Sequence, residues 1–378
     1  MRATPDSLPV PRYRRAVGHL GRWGTDPLRL LEEGATLGPV FGLRLWRPAV
    51  VGYSPEWNRL LMRDLDTFRS AGSLSGLTPY LDGSVVTADG AAHRRQRAAI
   101  SPAFGHDAVT ALEPALRREL RANLPTGDFD SLTWASSIVR RLLAAAFFGG
   151  RFPPALLARF LHPLDQPMPA PFLRRPLLFR RMDRALGAAL EVAPDPTIAA
   201  ALRGVEGAVE HLRVTISAGY DTTAHTLAWL LWHLADVRER HEVDPRQLVN
   251  ETLRMYPAGW VGSRICARDV EFAGHRIPTG TLVLYSPYLS HRDPASWPAP
   301  LEFRPDRFAE PAKPWTFIPF AAGKRRCLGM HLARLILELT VGELVTSGRP
   351  LRRVAGDPSA RAGVTLMPRG PLRLHRCG

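Results

Sequence analysis

The sequence predicts a mainly α fold with a smaller β-rich part. The first sign is a mostly apolar run at 205–235, far longer than a strand and of helical character. The second is helical patterning that recurs at 107–123, 132–148 and 245–255. The third is a change of character at 261–286, where short β-branched and aromatic stretches alternate with glycine turns.

In chain order, 41–45 and 49–53 read as two short strands around Arg47-Pro48, and 55–65 as a short helix. Residues 74–89 are rich in Gly, Ser and Thr and read as a loop. A helix starts near Ala91, and Ser101-Pro102 interrupts it, because a residue before proline is pushed out of the α region. Helices follow at 107–123 and 132–148. Residues 151–196 carry many prolines with apolar pieces between them. The long helix takes 205–235, and the next, 245–255, is ended by Pro257. Val270, Phe272, Ile277 and 281–285 read as strands, with Gly274 and Gly280 as turns. The run at 330–345 is apolar and helical, and short strands follow beyond Arg349. The expected organisation is one domain over 1–378. Its β-rich part falls roughly at 38–54 and 261–308, and its helical part roughly at 91–255 and 328–346.

Composition narrows the function classes. The chain has 378 residues, 45% of them hydrophobic, enough for a large core. The absence of an apolar run of about eighteen residues predicts no integral membrane anchor. The first fifteen residues lack the apolar centre of a secretory signal. Cys266, Cys327 and Cys377 cannot make a disulfide framework, which points to a reducing cytoplasm. Cys266 is expected inside a strand and Cys377 in the tail. The formal charge is +15, and of the 50 basic residues only Lys313 and Lys324 are lysines. The arginines are scattered and no nucleic-acid motif accompanies them, so the expected partners include no nucleic acid. A basic face that attracts an acidic electron-transfer protein is the narrower use.

Near the C-terminal end stands Phe320-Ala-Ala-Gly323-Lys-Arg325-Arg-Cys327-Leu-Gly329, directly before the helical run. Gly323 permits a sharp turn because glycine takes positive φ. Gly329 lacks a Cβ, so a planar ligand can approach the main chain. The helix start brings free N–H groups and the positive dipole end to Cys327, and Arg325 adds a cation; both favour a thiolate. Together they would hold a thiolate against a flat cofactor. A second constellation, Ala218-Gly219-Tyr220-Asp221-Thr222-Thr223, lies within the long helix. Thr222 can bond back to the carbonyl of Ala218 and loosen the helix, opening a groove. Glu251 and Arg254 lie three apart on one helix face. His225 and His233 show no metal-site spacing beyond one helix face.

The cysteine run resembles the haem-binding loop of the cytochrome P-450 family, with Phe320, Gly323, Arg325, Cys327 and Gly329 matching its five defining positions. The other motifs are similar in their order along nearly the whole chain. The likeness is to soluble, bacterial-type members. It implies a single-domain fold enclosing haem b (iron protoporphyrin IX), with Cys327 as the axial ligand of the iron. It implies that Asp221 and Thr222 form an acid–alcohol pair that relays protons. His93, Arg97, Arg264 and Arg325 would hold the haem propionates, and Phe320, Gly329 and Ala218 would lie against the cofactor. Glu251, Arg254 and Arg307 would form a buried structural group that braces the chain beneath the cysteine loop. His291-Arg292-Asp293-Pro294 with Trp297 would be a structural turn. The pocket walls implied by the resemblance, at 74–86, 151–184, 258–262 and 364–366, are apolar here, which suits a hydrophobic small molecule.

The activity so implied is that of a haem-thiolate monooxygenase of secondary metabolism. It would insert one atom of O2 into its substrate by hydroxylation or epoxidation. A ferredoxin-type electron donor with its reductase would supply the electrons, docking near Arg94, Arg95, Lys324 and Arg326. Two alternatives stay open: a peroxide-dependent haem-thiolate enzyme, and a non-catalytic haem-binding family member. Two departures from the family pattern stand out. Only 236–250 joins the long helix to the Glu-x-x-Arg helix, and 151–204 is compressed and proline-rich. Both are expected to reshape the docking edge and the substrate lid.

Overall fold

A computed structural model describes residues 8–166, 169–237 and 244–377. Helices α1 (Leu20–Thr25), α2 (Pro27–Ala35) and α3 (Pro55–Arg63) flank strands β1 (Val40–Arg44) and β2 (Pro48–Gly52). After β3 (Phe68–Arg69) come α4 (Gly90–Ile100), α5 (His106–Thr110), α6 (Glu113–Ala122) and β4 (Gly127–Asp130). Helices α7 (Ser131–Phe148), α8 (Pro154–Leu161), α9 (Pro176–Val192) and α10 (Ile198–Ala201) lead to the long α11 (Ala208–Leu234) and to α12 (Pro245–Met255). Strands β5 (Gly262–Cys266), β6 (Val270–Phe272), β7 (His275–Ile277) and β8 (Leu282–Tyr285) precede α13 (Pro287–Ser290) and α14 (Met330–Thr346). Strands β9 (Leu351–Ala355), β10 (Ala360–Ala362), β11 (Leu366–Pro368) and β12 (Arg373–Arg376) complete the order.

Local chemistry sets these boundaries. Ser54 caps α3 by accepting the Trp57 N–H, and Pro55 stands at the first helical position, where no N–H is needed. Asp130 caps α7 in the same way, and Gly149 ends that helix at φ 61°. Asp244 and Pro245 open α12. The prolines of 151–196 read as breaks in the sequence. Several instead stand in the first turn of a helix or 3-10 turn, at Pro154, Pro163 and Pro176. That segment is therefore more helical than its composition suggests. The predicted 107–123 helix is two helices, parted at Ala111 and Leu112.

The main sheet runs β1-β2-β8-β5-β3. Strands β2 and β8 are parallel, with Ala49 opposite Leu282, and the other pairs are antiparallel. The Trp57 indole donates to the Leu284 carbonyl at 2.9 Å and pins α3 across this sheet. The β-rich part is not continuous to 308, because β8 ends at Tyr285 and α13 follows. A sheet β4-β12-β9 joins the middle of the chain to its C-terminal part, a long-range pairing that short local patterns do not reveal. Helix α11 is buried along most of its length and packs on α7, α9, α12 and α14. The fold is thus mainly helical with a smaller sheet portion. Among the described residues no helix is long and apolar enough to cross a membrane. Of the shortened connection at 236–250, residues 238–243 lie outside the described residues.

Candidate active site

A cavity of about 410 Å³ lies between α11 and the loop before α14. The loop folds back on itself: the Cys327 N–H donates to the Phe320 carbonyl at 2.8 Å, and the Arg326 N–H to Gly323 at 3.1 Å. Gly323 has φ 65°, and a Cβ there would meet the Met62 carbonyl oxygen at 2.9 Å, so only glycine fits. Gly329 has an ordinary φ of −82°. A Cβ on it would meet nothing within 4 Å, and the residue lines the cavity. Space is kept there for something outside the chain. Cys327 is exposed and lines the same cavity, set within the surrounding protein. Burial raises its pKa, opposed by the Gly329 N–H and by Arg97 and Arg326. The N–H at the helix start thus favours the thiolate as expected, with Arg97 and Arg326 as the cations in place of Arg325, but burial outweighs them. The chain alone holds a thiol, and a cation at the sulfur is what would stabilise its anion.

His93, Arg97, Arg264 and Arg325 all line this cavity. Arg97 and Arg264 both lower the pKa of Arg325, though burial lowers it most. His93 falls to about 4, first by burial and then by Arg325 and Arg97. One carboxylate answers part of this charge. Asp89 accepts Arg325 at 2.6 Å and the N–H groups of Ser70 and Ala71 at 2.9 and 2.8 Å. The terminal nitrogens of Arg325 also donate to Val85 and Ala88 carbonyls. What remains is Nε of Arg325 and Nε of Arg264, both buried and without a hydrogen-bond partner among the described residues. Buried donors are rarely left so. A flat dianion such as haem, its carboxylates at this rim and its metal at the thiol, fits the donors, the charge and the space at Gly329.

Across the cavity, Ala218, Gly219, Thr222 and Thr223 of α11 form part of its wall. The Thr222 hydroxyl donates to the Ala218 carbonyl at 2.7 Å, as its spacing predicts. The helix is nevertheless unbroken through this point. The expected bulge is absent because the back-bond is added to the ladder without displacing it. Thr226 does the same to Thr222, and Ser217 to Arg213. Asp221 does not line the cavity beside Thr222. Its carboxylate is buried on another face of α11, accepting the Thr222 N–H at 3.0 Å and the Thr365 hydroxyl at 3.2 Å. Burial raises its pKa to about 6, although His225 and these hydrogen bonds act the other way.

Glu251 and Arg254 form a fully buried pair. Arg254 Nε and Nη2 donate to the two carboxylate oxygens, each at 2.7 Å. Arg307 Nε and the Arg304 N–H add to Glu251 Oε1 at 3.1 and 2.8 Å. Arg254 Nη1 also holds the carbonyls of His291 and Pro300, both at 2.8 Å. The ring of His291 then accepts the Ile318 N–H at 2.9 Å, two residues before Phe320. A continuous polar path therefore runs from α12 to the cysteine loop. Sequence reasoning placed the three charged residues and missed His291 as the link. It also missed Asp89, whose only signal is its place before α4, and Thr365, which nothing local marks.

The family model described as Cytochrome P450 matches residues 246–347. Cytochrome P450 3A12 of Canis lupus familiaris is 32% identical over 191 residues, covering 43% of this chain and 38% of that protein. Cytochrome P450 3A31 of Mesocricetus auratus is 36% identical, with the same coverage. The chain thus spans little more than a third of the length of these curated relatives. Cytochrome P450 3A19 of Capra hircus aegagrus is 34% identical over 161 residues, covering 74% of that protein. The solved structure "Retinoic acid bound cyanobacterial CYP120A1" matches with a TM-score of 0.80, covering 98% of this chain and 99% of that one at 21% identity.

Proposed function

The chain belongs to the cytochrome P450 family, and from that premise we propose that it is a haem-thiolate monooxygenase that inserts one atom of O2 into a hydrophobic small molecule. The observation that carries this reading is the cysteine loop itself: a cysteine lining a cavity whose rim gathers His93, Arg97, Arg264 and Arg325, with the Nε atoms of Arg264 and Arg325 buried and without a partner among the described residues. Haem b bound there would supply one-electron chemistry and O2 activation, which a thiolate ligand favours.

The rest is the work of the chain. Cys327 would ligate the iron. His93, Arg97 and Arg264 would bind the propionates, and Arg325, tethered by Asp89, would contribute Nε and its charge. Phe320, Gly329 and Ala218 shape the slot for the flat ring. Leu143, Phe147, Phe104, Val86 and Val214 make an apolar wall that excludes water and receives an apolar substrate. Asp221, its pKa raised to about 6, can take up a proton and give it back close to neutral pH, and delivers it by turning from Thr365 to the cavity face at Thr222, whose hydroxyl is anchored on Ala218. Glu251, Arg254 and Arg307 hold the loop in place through His291. Hydroxylation and epoxidation both fit such a pocket.

Electrons come from a separate ferredoxin-type donor and its reductase, in the cytoplasm. Exposed Arg94, Arg95, Lys324 and Arg326 give the donor an electropositive face. The test uses the haem-loaded protein, a ferredoxin with its reductase, and apolar compounds that shift the iron spin state. Isotopically labelled dioxygen should leave one labelled oxygen in the product, and the reduction rate should fall with added salt. Product labelled from water would sink the reading, and a salt-independent rate would sink the docking face.

A further inference from the structure

Beyond Asp221 a buried polar chain leads toward solvent through residues the reaction above does not use. Asp165 ends the 3-10 turn His162–Asp165 and is partly exposed. Its Oδ2 accepts the Tyr220 hydroxyl at 2.6 Å, and that hydroxyl accepts Arg140 at 2.7 Å. Its Oδ1 faces Nε2 of His225 at 3.6 Å, and neither atom has a hydrogen-bond partner among the described residues. On the other side of the fully buried ring, Nδ1 lies 2.8 Å from the Thr365 hydroxyl, which donates to Asp221 at 3.2 Å. Three separate parts of the chain meet here: the turn after α8, helix α11 and the approach to β11. Tyr80 is the other titratable group coupled to Asp221, and its hydroxyl donates to the Phe160 carbonyl. Buried polar atoms seldom face each other unpaired. A proton on His225 would charge the ring and complete its contact with Asp165.

We infer that Asp165, His225 and Thr365 are positioning residues that resupply the proton Asp221 gives up, a role that rests on the monooxygenase reading. The step conserves protons. In the charged ring, Nε2–H faces Asp165 and Nδ1–H faces Thr365. The Nδ1–H bond breaks as an Oγ1–H bond forms, and the proton that Thr365 held passes to Asp221 Oδ2. His225 is left neutral with its proton on Nε2, Thr365 is again a hydroxyl, and Asp221 is a neutral acid. The ring then turns over and takes a proton from water at the partly exposed Asp165. One proton enters from solvent for each one that Asp221 delivers.

The test uses the haem-loaded enzyme. Thr365→Val removes the hydroxyl, Asp165→Asn removes the entry carboxylate, and Thr365→Ser keeps the link. The Val and Asn variants should keep the parent's carbon monoxide spectrum and substrate spin shift. Their product formation should fall on the order of 10²-fold, the low end for positioned proton transfer, with a larger solvent deuterium isotope effect. The Ser variant should restore both. A readout without turnover is the infrared C=O band of protonated Asp221, identified by its loss in Asp221→Asn. His225→Gln should move its titration midpoint up and Asp165→Asn should move it down, following the opposite influences of the two groups. Should His225→Gln fail to fold, the Asp165 and Thr365 variants decide. Parent-like rates and isotope effects in Thr365→Val and Asp165→Asn overturn the inference. A parent without a sulfur-ligated carbon monoxide spectrum overturns the monooxygenase reading, and the relay with it.

Discussion

Gly323 and Gly329 bracket Cys327 and are glycine for different reasons. At Gly323 the backbone is left-handed and a Cβ would press on the Met62 carbonyl. Gly323→Ala should therefore cost at least roughly 1–2 kcal/mol of stability, even before the haem is added. Gly329→Ala meets nothing of the protein, so the apoprotein should unfold within about 0.5 kcal/mol of the parent, while haem titration shows weaker binding. Equal losses of apoprotein stability in both variants would contradict this division. The sequence marks both glycines but cannot show which one faces Met62, because that contact joins residues far apart in the chain. Asp221 makes a second residue-scale case. Its folded pKa of about 6 lies above the 3.8 of a free aspartate side chain. The stability tied to its neutral form is complete below that unfolded value and is lost as pH rises through about 6. Asp221→Asn should thus raise the unfolding free energy at pH 8 by on the order of 2–3 kcal/mol, seen as a higher thermal midpoint, and leave it nearly unchanged at pH 4. An unchanged midpoint at pH 8 would count against the buried charge.

At the scale of elements, the α12 pair and the cysteine loop are one mechanical unit through His291 and Ile318. Removing one member of a buried pair leaves an uncompensated charge, so Arg254→Ala should cost around 3–5 kcal/mol. Arg276→Ala, at the exposed pair with Asp269, should leave the stability close to the parent's. Denaturant unfolding of both variants checks this contrast, and similar losses would contradict it. Long periodic elements such as α7, α11 and α12 were legible in the sequence because one buried face repeats over many residues. The helices within 151–196 were not, because proline breaks a helix interior and starts a helix equally well. The bulge expected at Gly219 to Thr222 failed for a related reason. Composition cannot tell a back-bond that opens a helix from one that the helix absorbs.

For the whole molecule, burial keeps several histidines neutral. It lowers His93 to about 4 and His233 and His291 to about 3. Their unfolded value is 6.5, above each folded one, so the stability they contribute is present above 6.5. It is lost as pH falls from there toward 4. The thermal midpoint of the apoprotein should drop steeply over that window, and a flat profile would contradict the burial of these rings. The sequence carried the motif order and the main helices, since those patterns are local. It could not show the partners of the motif residues, such as Asp89 with Arg325 or Thr365 with Asp221, which only the folded chain brings together. The most direct test of the account is the spectrum of the purified, haem-loaded protein, reduced and exposed to carbon monoxide. The account predicts the red-displaced Soret band of a thiolate-ligated iron, abolished by Cys327→Ser. A band at the position given by a neutral axial ligand, or one that survives the serine substitution, would contradict it.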